Sequence, residues 1–214
     1  MALAKRIAVT LPAGPRIEDT VSRIQWAEEE GIADAWFSDS GAPDTLTQVA
    51  AIAHQTKNIR IGTAVTPVYT RSPSVLAASA NVIGQLLPDR FVMGLGSSSQ
   101  TIMGQFNGIP LDKPLTRVRE TAELVKIMLT GEKTNYDGET LFSKGYRQAP
   151  MENPPPIYLA ALRPKMIEMA AEVGDGVIFN LWPKAALPKM MEHIAIGAAK
   201  AGKKAESKAV NSTV

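Results

Sequence analysis

The 214-residue chain contains no cysteine. Disulfides, thiolate nucleophiles, iron–sulfur clusters and cysteine-type zinc sites are thereby excluded, and a reducing compartment fits. Histidine is scarce: His54 and His193 stand far apart in sequence, so no His-rich metal site is expected. Charge of one sign is also lacking. Lys plus Arg number 23 against 21 Asp plus Glu, a net +2, which leaves no electrostatic footprint for nucleic acid. No run reaches the roughly 20 apolar residues of a membrane span. No signal-type apolar segment follows Lys5-Arg6. The reading is a cytoplasmic protein with neither a membrane nor a nucleic-acid partner.

What is present is an alternation of short apolar runs and longer helical patterns. Ile7–Leu11, Ala35–Ser38, Ile59–Val65, Phe91–Leu95, Ile157–Ala160 and Gly176–Asn180 read as strands. Between them, Ile17, Val21, Ile24 and Ala27 lie on one helical face that Gly31 closes. Asp44 is placed to cap a helix over Thr45–Gln55. A helix from Pro73 to Leu87 presents Val75, Ser79, Val82, Ile83 and Leu86 on one face, and further helices are expected at 114–129, 164–173 and 187–201. Residues 134–147 differ: Asp137-Gly138 between β-prone residues signals an inserted hairpin. Residues 201–214 are Lys- and Ala-rich without an apolar face and read as a flexible tail behind a domain over 1–200. Six strand–helix units in a row imply a parallel sheet. An open doubly wound sheet and a (β/α)8 barrel both remain open on periodicity alone, and a full barrel needs roughly 250 residues.

In either architecture a ligand sits at the C-terminal ends of the strands. Ser97 to Ser99 stand where a strand turns toward a helix; their N–H and hydroxyl groups suit one phosphate, or simply cap the helix. Arg163 and Lys165 bring positive charge to another helix start, or are solvated there. Gly94-x-Gly96 is too short for a dinucleotide fingerprint. Asp39 ends a strand and serves either a ligand or the next loop. Tyr69 and Trp182 line a pocket or pack. No Ser–His–Asp set or carboxylate pair emerges, so no catalytic residue is assigned. Such a shortage suits a protein whose cofactor carries the chemistry.

The strand-end strings, taken in order, resemble the luciferase-like monooxygenase superfamily, and within it the oxidoreductases that depend on coenzyme F420. They are Gly31-Ile-Ala-Asp-Ala-Trp-Phe-Ser-Asp39, Ile61-Gly-Thr-Ala-Val-Thr-Pro67 with Arg71-Ser-Pro73, and Leu87-Pro-Asp-Arg-Phe-Val-Met-Gly-Leu-Gly96. Asn107-Gly-Ile-Pro-Leu-Asp-Lys-Pro114, Arg117-x-Arg-Glu120, Pro156-Ile-Tyr-Leu-Ala-Ala161 and Ala171-Glu-Val-Gly-Asp-Gly176 follow. The resemblance implies a (β/α)8 TIM-type barrel, here incomplete at about six units, with an insertion before strand five. It implies a cis peptide at Ala64–Val65. It also implies that Asp39, Ala64, Val65 and Thr66 face the ring system. Gly96, Ser97, Ser98, Ala161, Leu162 and Arg163 then hold the phosphate and ribityl arm.

The implied activity is hydride transfer between F420 and a small-molecule substrate. An FMN-dependent monooxygenase and a non-catalytic shortened flavin or deazaflavin binder are the alternatives. Leu162-Arg163 departs from a normally glycine-rich arm site, so Arg163 either grips phosphate or obstructs it. Ser40 and Ser99 stand where sugar-phosphate dehydrogenase members carry His and Glu, which argues against that substrate. The chain ends after the sixth unit and reads either as a fragment or as a barrel short of a wall. Exposed edges on strands one and six then predict a homodimer or higher oligomer.

Overall fold

The computed structural model describes residues 6–40 and 42–212. The predicted alternation is realised as β1 (Ala8–Thr10), α1 (Ile17–Glu29), β2 (Asp34–Phe37), α2 (Thr45–Ile52), β3 (Arg60–Thr63), β4 (Thr66–Pro67), α3 (Pro73–Leu86) and β5 (Phe91–Gly96). A short π-helical segment (Thr101–Phe106) leads to α4 (Pro114–Leu129). The hairpin β6 (Asn135–Asp137) and β7 (Phe142–Lys144) precedes β8 (Ile157–Ala160), α5 (Pro164–Val173), β9 (Gly176–Phe179), α6 (Leu187–Lys200) and β10 (Ala209–Ser212).

Local chemistry sets the helix starts. The Asp44 carboxylate accepts Thr47 N–H at 2.8 Å and caps α2. Ser72 caps α3, and α3, α4 and α5 each open on a proline, where no intrahelical donor is lost. The helices bury their apolar stripes on the outer face of the sheet, through residues such as Ile24, Val49, Ile52, Leu76, Val125 and Ile194. Helix α3 corrects the spacing argument. It buries Leu76, Ala77, Ala80 and Ile83 and turns Val75 and Val82 to solvent. Small alanines let that face pack closely on its neighbours around Leu76 and Ile83.

The strand order β1-β2-β3-β5-β8-β9-β10 is sequential, and every pairing along it is parallel. A doubly wound sheet reverses its order at a switch point; this one never does, so the barrel alternative holds. Curvature is evident from one contact. Trp36 on β2 and Tyr158 on β8 stand three strand steps apart, about 14 Å in a flat sheet, yet their rings stack with centroids 6.0 Å apart. The sheet is a half-barrel with helices outside.

The expected hairpin is present, with Tyr136 opposite Ser143 and Gly138 N–H donating to Leu141 O at 2.9 Å. Glu120 of α4 pins it, accepting Glu139 N–H (2.6 Å), Thr140 N–H (2.9 Å) and the Thr140 hydroxyl (2.5 Å). The flexible tail over 201–214 is overturned for residues 205–212. Ala205–Ser207 form one helical turn, and β10 adds a seventh parallel strand to β9. The missing apolar signal has a physical source. Lys208 is buried, with Nζ donating to Gly174 O at 2.7 Å, so a lysine stem takes the place of an apolar side chain. The far end of the described strand order is therefore β10, not the sixth strand.

Candidate functional site

The inner face of the half-barrel is filled from below. Asp34 receives a bidentate pair from Arg60 (Nε and Nη2, both 2.8 Å) and a further bond from Arg6 Nε at 2.9 Å. Above it Trp36, Val92, Tyr158 and Ile178 form a separate small cluster. Glycines make room for the rings. A Cβ on Gly62 would strike the Trp36 ring, and one on Gly176 would lie 2.7 Å from the Tyr158 ring. This layer is a floor, and what lies beyond it is the C-terminal rim of the strands.

On that rim the register brings the expected residues into neighbouring positions. Ala64 N–H donates to Phe37 O at 2.7 Å, which sets Ala64–Val65 beside the end of β2 and Asp39. The Ala64–Val65 bond is cis. Thr66 and Pro67 pair with Leu95 and Gly96, and Leu95 pairs in turn with Leu159. Val65 packs on Gly96, where an added Cβ would lie 2.7 Å from Val65 Cγ2 and 3.0 Å from Ala160 Cβ. Ser97 and Ser98 follow, half-buried, with Ser98 in the left-handed region at φ 62°. Ala161 is buried next to them, whereas Leu162 and Arg163 are exposed. Asp39, Ala64, Val65, Thr66, Gly96, Ser97, Ser98 and Ala161 thus line one continuous rim. Leu162 and Arg163 stand at its outer edge.

Two polar groups on this rim lack a hydrogen-bond partner among the described residues. Thr66 Oγ1 and Trp182 Nε1 are buried without a hydrogen bond. Buried donors in that state mark an unfilled requirement. Thr66 lies beside the Asp39 carboxyl, close enough to draw its pKa down, but falls short of a hydrogen bond to it. Burial nevertheless pushes the Asp39 carboxyl above the usual aspartate range, against the pull of the Arg71 guanidinium. Arg71 Nη1 donates to Asp39 Oδ2 at 2.8 Å, and Nη2 donates to Asp44 Oδ2.

The phosphate expectation divides. The Ser99 hydroxyl accepts Ile102 N–H at 3.3 Å, which is the capping role. Lys165 is turned away onto Glu168 at 3.2 Å. The backbone N–H groups of Ser97, Ser98 and Leu162 donate to no backbone carbonyl among the described residues, and Arg163 makes no side-chain hydrogen bond at the start of α5. Those groups remain free for an anion. Sequence reasoning missed the role of Arg71. The pairing spans 32 residues, and only its place just past a strand end could have drawn attention to it. Tyr69 is a strut rather than an open pocket wall: its hydroxyl donates to Asp112 O at 2.5 Å, and Arg117 lies 5.6 Å over its ring.

The sequence model of the luciferase-like monooxygenase family matches residues 1–214. A 5,10-methylenetetrahydromethanopterin reductase of Methanolobus tindarius is 33% identical over 178 residues, 83% of this chain and 54% of that protein. An F420-dependent glucose-6-phosphate dehydrogenase of Nocardia farcinica is 32% identical over 211 residues, covering 91% of this chain and 62% of its own length. The structure of the coenzyme F420 dependent tetrahydromethanopterin reductase from Methanopyrus kandleri superposes with a TM-score of 0.90 at 22% identity, over 98% of this chain and 65% of that one. The chain spans about half the length of the methylenetetrahydromethanopterin reductases it matches.

Proposed function

The chain belongs to the luciferase-like monooxygenase family, and from that premise we propose that it is an oxidoreductase that uses coenzyme F420 on a small organic substrate. The observation that carries the reading is the buried, unpartnered Thr66 hydroxyl beside the Asp39 carboxyl. A ring system edged with carbonyl and N–H groups suits that donor and that acceptor together. F420, when bound, supplies hydride transfer.

The chain's own part is to bind and orient. Asp39, Ala64, Val65 and Thr66 face the ring. Gly96 keeps the strand backbone low beside Val65. Ser97, Ser98, Ala161, Leu162 and Arg163 hold the phosphate and ribityl arm, using free backbone N–H groups and one exposed guanidinium. The floor of Trp36 and Tyr158 keeps water from entering below. No acid–base pair is required of the protein. Ser40 and Ser99 are both exposed and carry no acid–base group, so the proposed substrate is not a sugar phosphate. A cytoplasmic homo-oligomer is part of the same reading.

Fluorescence titrations with F420 and, separately, with FMN test it. Tighter binding of F420 is expected. Tighter binding of FMN would replace the reading with a flavin monooxygenase component, and binding of neither would remove it.

A further inference from the structure

One guanidinium ties three segments of the rim. Arg71 lies in the loop between β4 and α3, with 15% of its side chain exposed. Nη1 serves Asp39 Oδ2 at 2.8 Å and Thr70 Oγ1 at 3.3 Å. Nη2 serves Asp44 Oδ2, while Asp44 Oδ1 caps α2 through Thr47 N–H. The end of β2, the start of α2 and the approach to α3 therefore share one cation. Asp39 Oδ2 is locked by this contact, and Oδ1 makes no hydrogen bond among the described residues.

We propose that Arg71 is a positioning residue: it keeps Asp39 ionised and holds Oδ2, leaving Oδ1 as the acceptor for an N–H or O–H donor of the bound ring. The proposal rests on the F420 reading for the identity of the ring, but its effect on Asp39 does not. Asp39 is 9% exposed. A carboxylate that buried takes up a proton unless an opposite charge sits against it. Once protonated, it would offer a donor beside the Thr66 donor, and the ring would meet two hydrogens where it needs a hydrogen and a lone pair. The charged groups acting on Asp39 are Arg71, from the loop before α3, and Asp44, from the start of α2. Asp44 pushes in the wrong direction, so Arg71 alone supplies the stabilising charge. The planar fork of arginine reaches both carboxylates at once; a lysine reaches one.

The experiment follows the Asp39 carboxyl by 13C NMR in the ligand-free protein, with Asp39→Asn to assign the signal. Arg71→Met should move the titration midpoint up by about one pH unit or more. Arg71→Lys should regain part of that shift, and it keeps the test alive if the Met variant does not fold. F420 titrations across the same pH range should show binding that weakens at a higher pH in Arg71→Met than in the parent. Below both midpoints affinity should fall about tenfold for a one-unit shift, and well above them the difference should vanish. An Asp39 midpoint that is unchanged in both variants overturns the proposal even if F420 binds. A moved midpoint in a protein that does not bind F420 removes the functional reading instead and leaves the clamp standing.

Discussion

Replacing Thr66 with valine should push stability and binding in opposite directions. Thr66 is 0% exposed, and its hydroxyl has no hydrogen bond among the described residues. A buried hydroxyl left unpaired costs about 1–3 kcal/mol of desolvation. Valine keeps the β-branched shape that β4 accommodates and puts a methyl group where the hydroxyl was. The ligand-free variant is therefore expected to gain about 1–3 kcal/mol. For a chain of this size each kcal/mol raises Tm by roughly 2–4 °C. Binding should move the other way. A neutral hydrogen bond contributes about 0.5–1.5 kcal/mol net, so F420 should bind roughly two- to tenfold more weakly. Thermal unfolding without ligand reads the first effect, and fluorescence titration reads the second. Thr66→Ser keeps the hydroxyl and should keep the affinity. A valine variant that is less stable than the parent, or that binds F420 equally well, would refute the claim that this hydroxyl waits for a ligand.

Gly62→Ala should destabilise the fold by about 1–3 kcal/mol, because the new methyl meets the Trp36 ring, which is itself stacked on Tyr158; an unchanged urea midpoint would contradict a packed floor. Arg163→Ala should leave stability untouched, since that side chain is exposed and caps nothing among the described residues, and weaken F420 binding about tenfold at low salt and less at high salt. Tighter binding by Arg163→Gly would instead mean that the side chain obstructs the arm. The Lys200 ammonium, then Lys165, hold the Glu168 carboxyl down to about 2 from its ordinary 4.5. A depressed folded-state pKa stabilises the protein above the unfolded value, so this contribution should be intact above pH 4.5 and disappear toward pH 2. Urea midpoints measured down that range should fall less steeply in Glu168→Gln than in the parent.

Local signals carried well from sequence to structure. The spacing of Val21, Ile24 and Ala27 matches α1, although Ile17, placed on the same face, is exposed at the helix start. Asp44 caps α2 where expected, and the Asp137-Gly138 signal marks a true hairpin. These depend on neighbours a few residues apart, which a linear reading can see. The rim was legible because strand ends converge in any parallel sheet, so listing those ends already lists the candidates. Three features were not legible. Arg71 meets Asp39 across 32 residues, a pairing set by strand order. Glu120 pins a hairpin 19 and 20 residues away, although its helix pattern looked ordinary. Strand β10 hides behind lysines because Lys208 buries its stem. In each case the long side chain of a charged residue does work that hydropathy patterns assign to apolar ones.

The floor couples positions that mutation alone treats as independent. Trp36 occupies the space that Gly62 leaves, and Tyr158 the space that Gly176 leaves. Enlarging a glycine requires shrinking its ring, and shrinking a ring opens a void until its glycine grows. Single steps in either direction lose stability, whereas the paired exchange restores volume, so the sites are epistatic. The level of that base therefore resists gradual drift. Exposed rim positions such as Leu162 and Arg163 have no such partner and can vary one at a time. Divergence in ligand preference is thus channelled to the rim of the half-barrel, over a base that changes only in matched pairs.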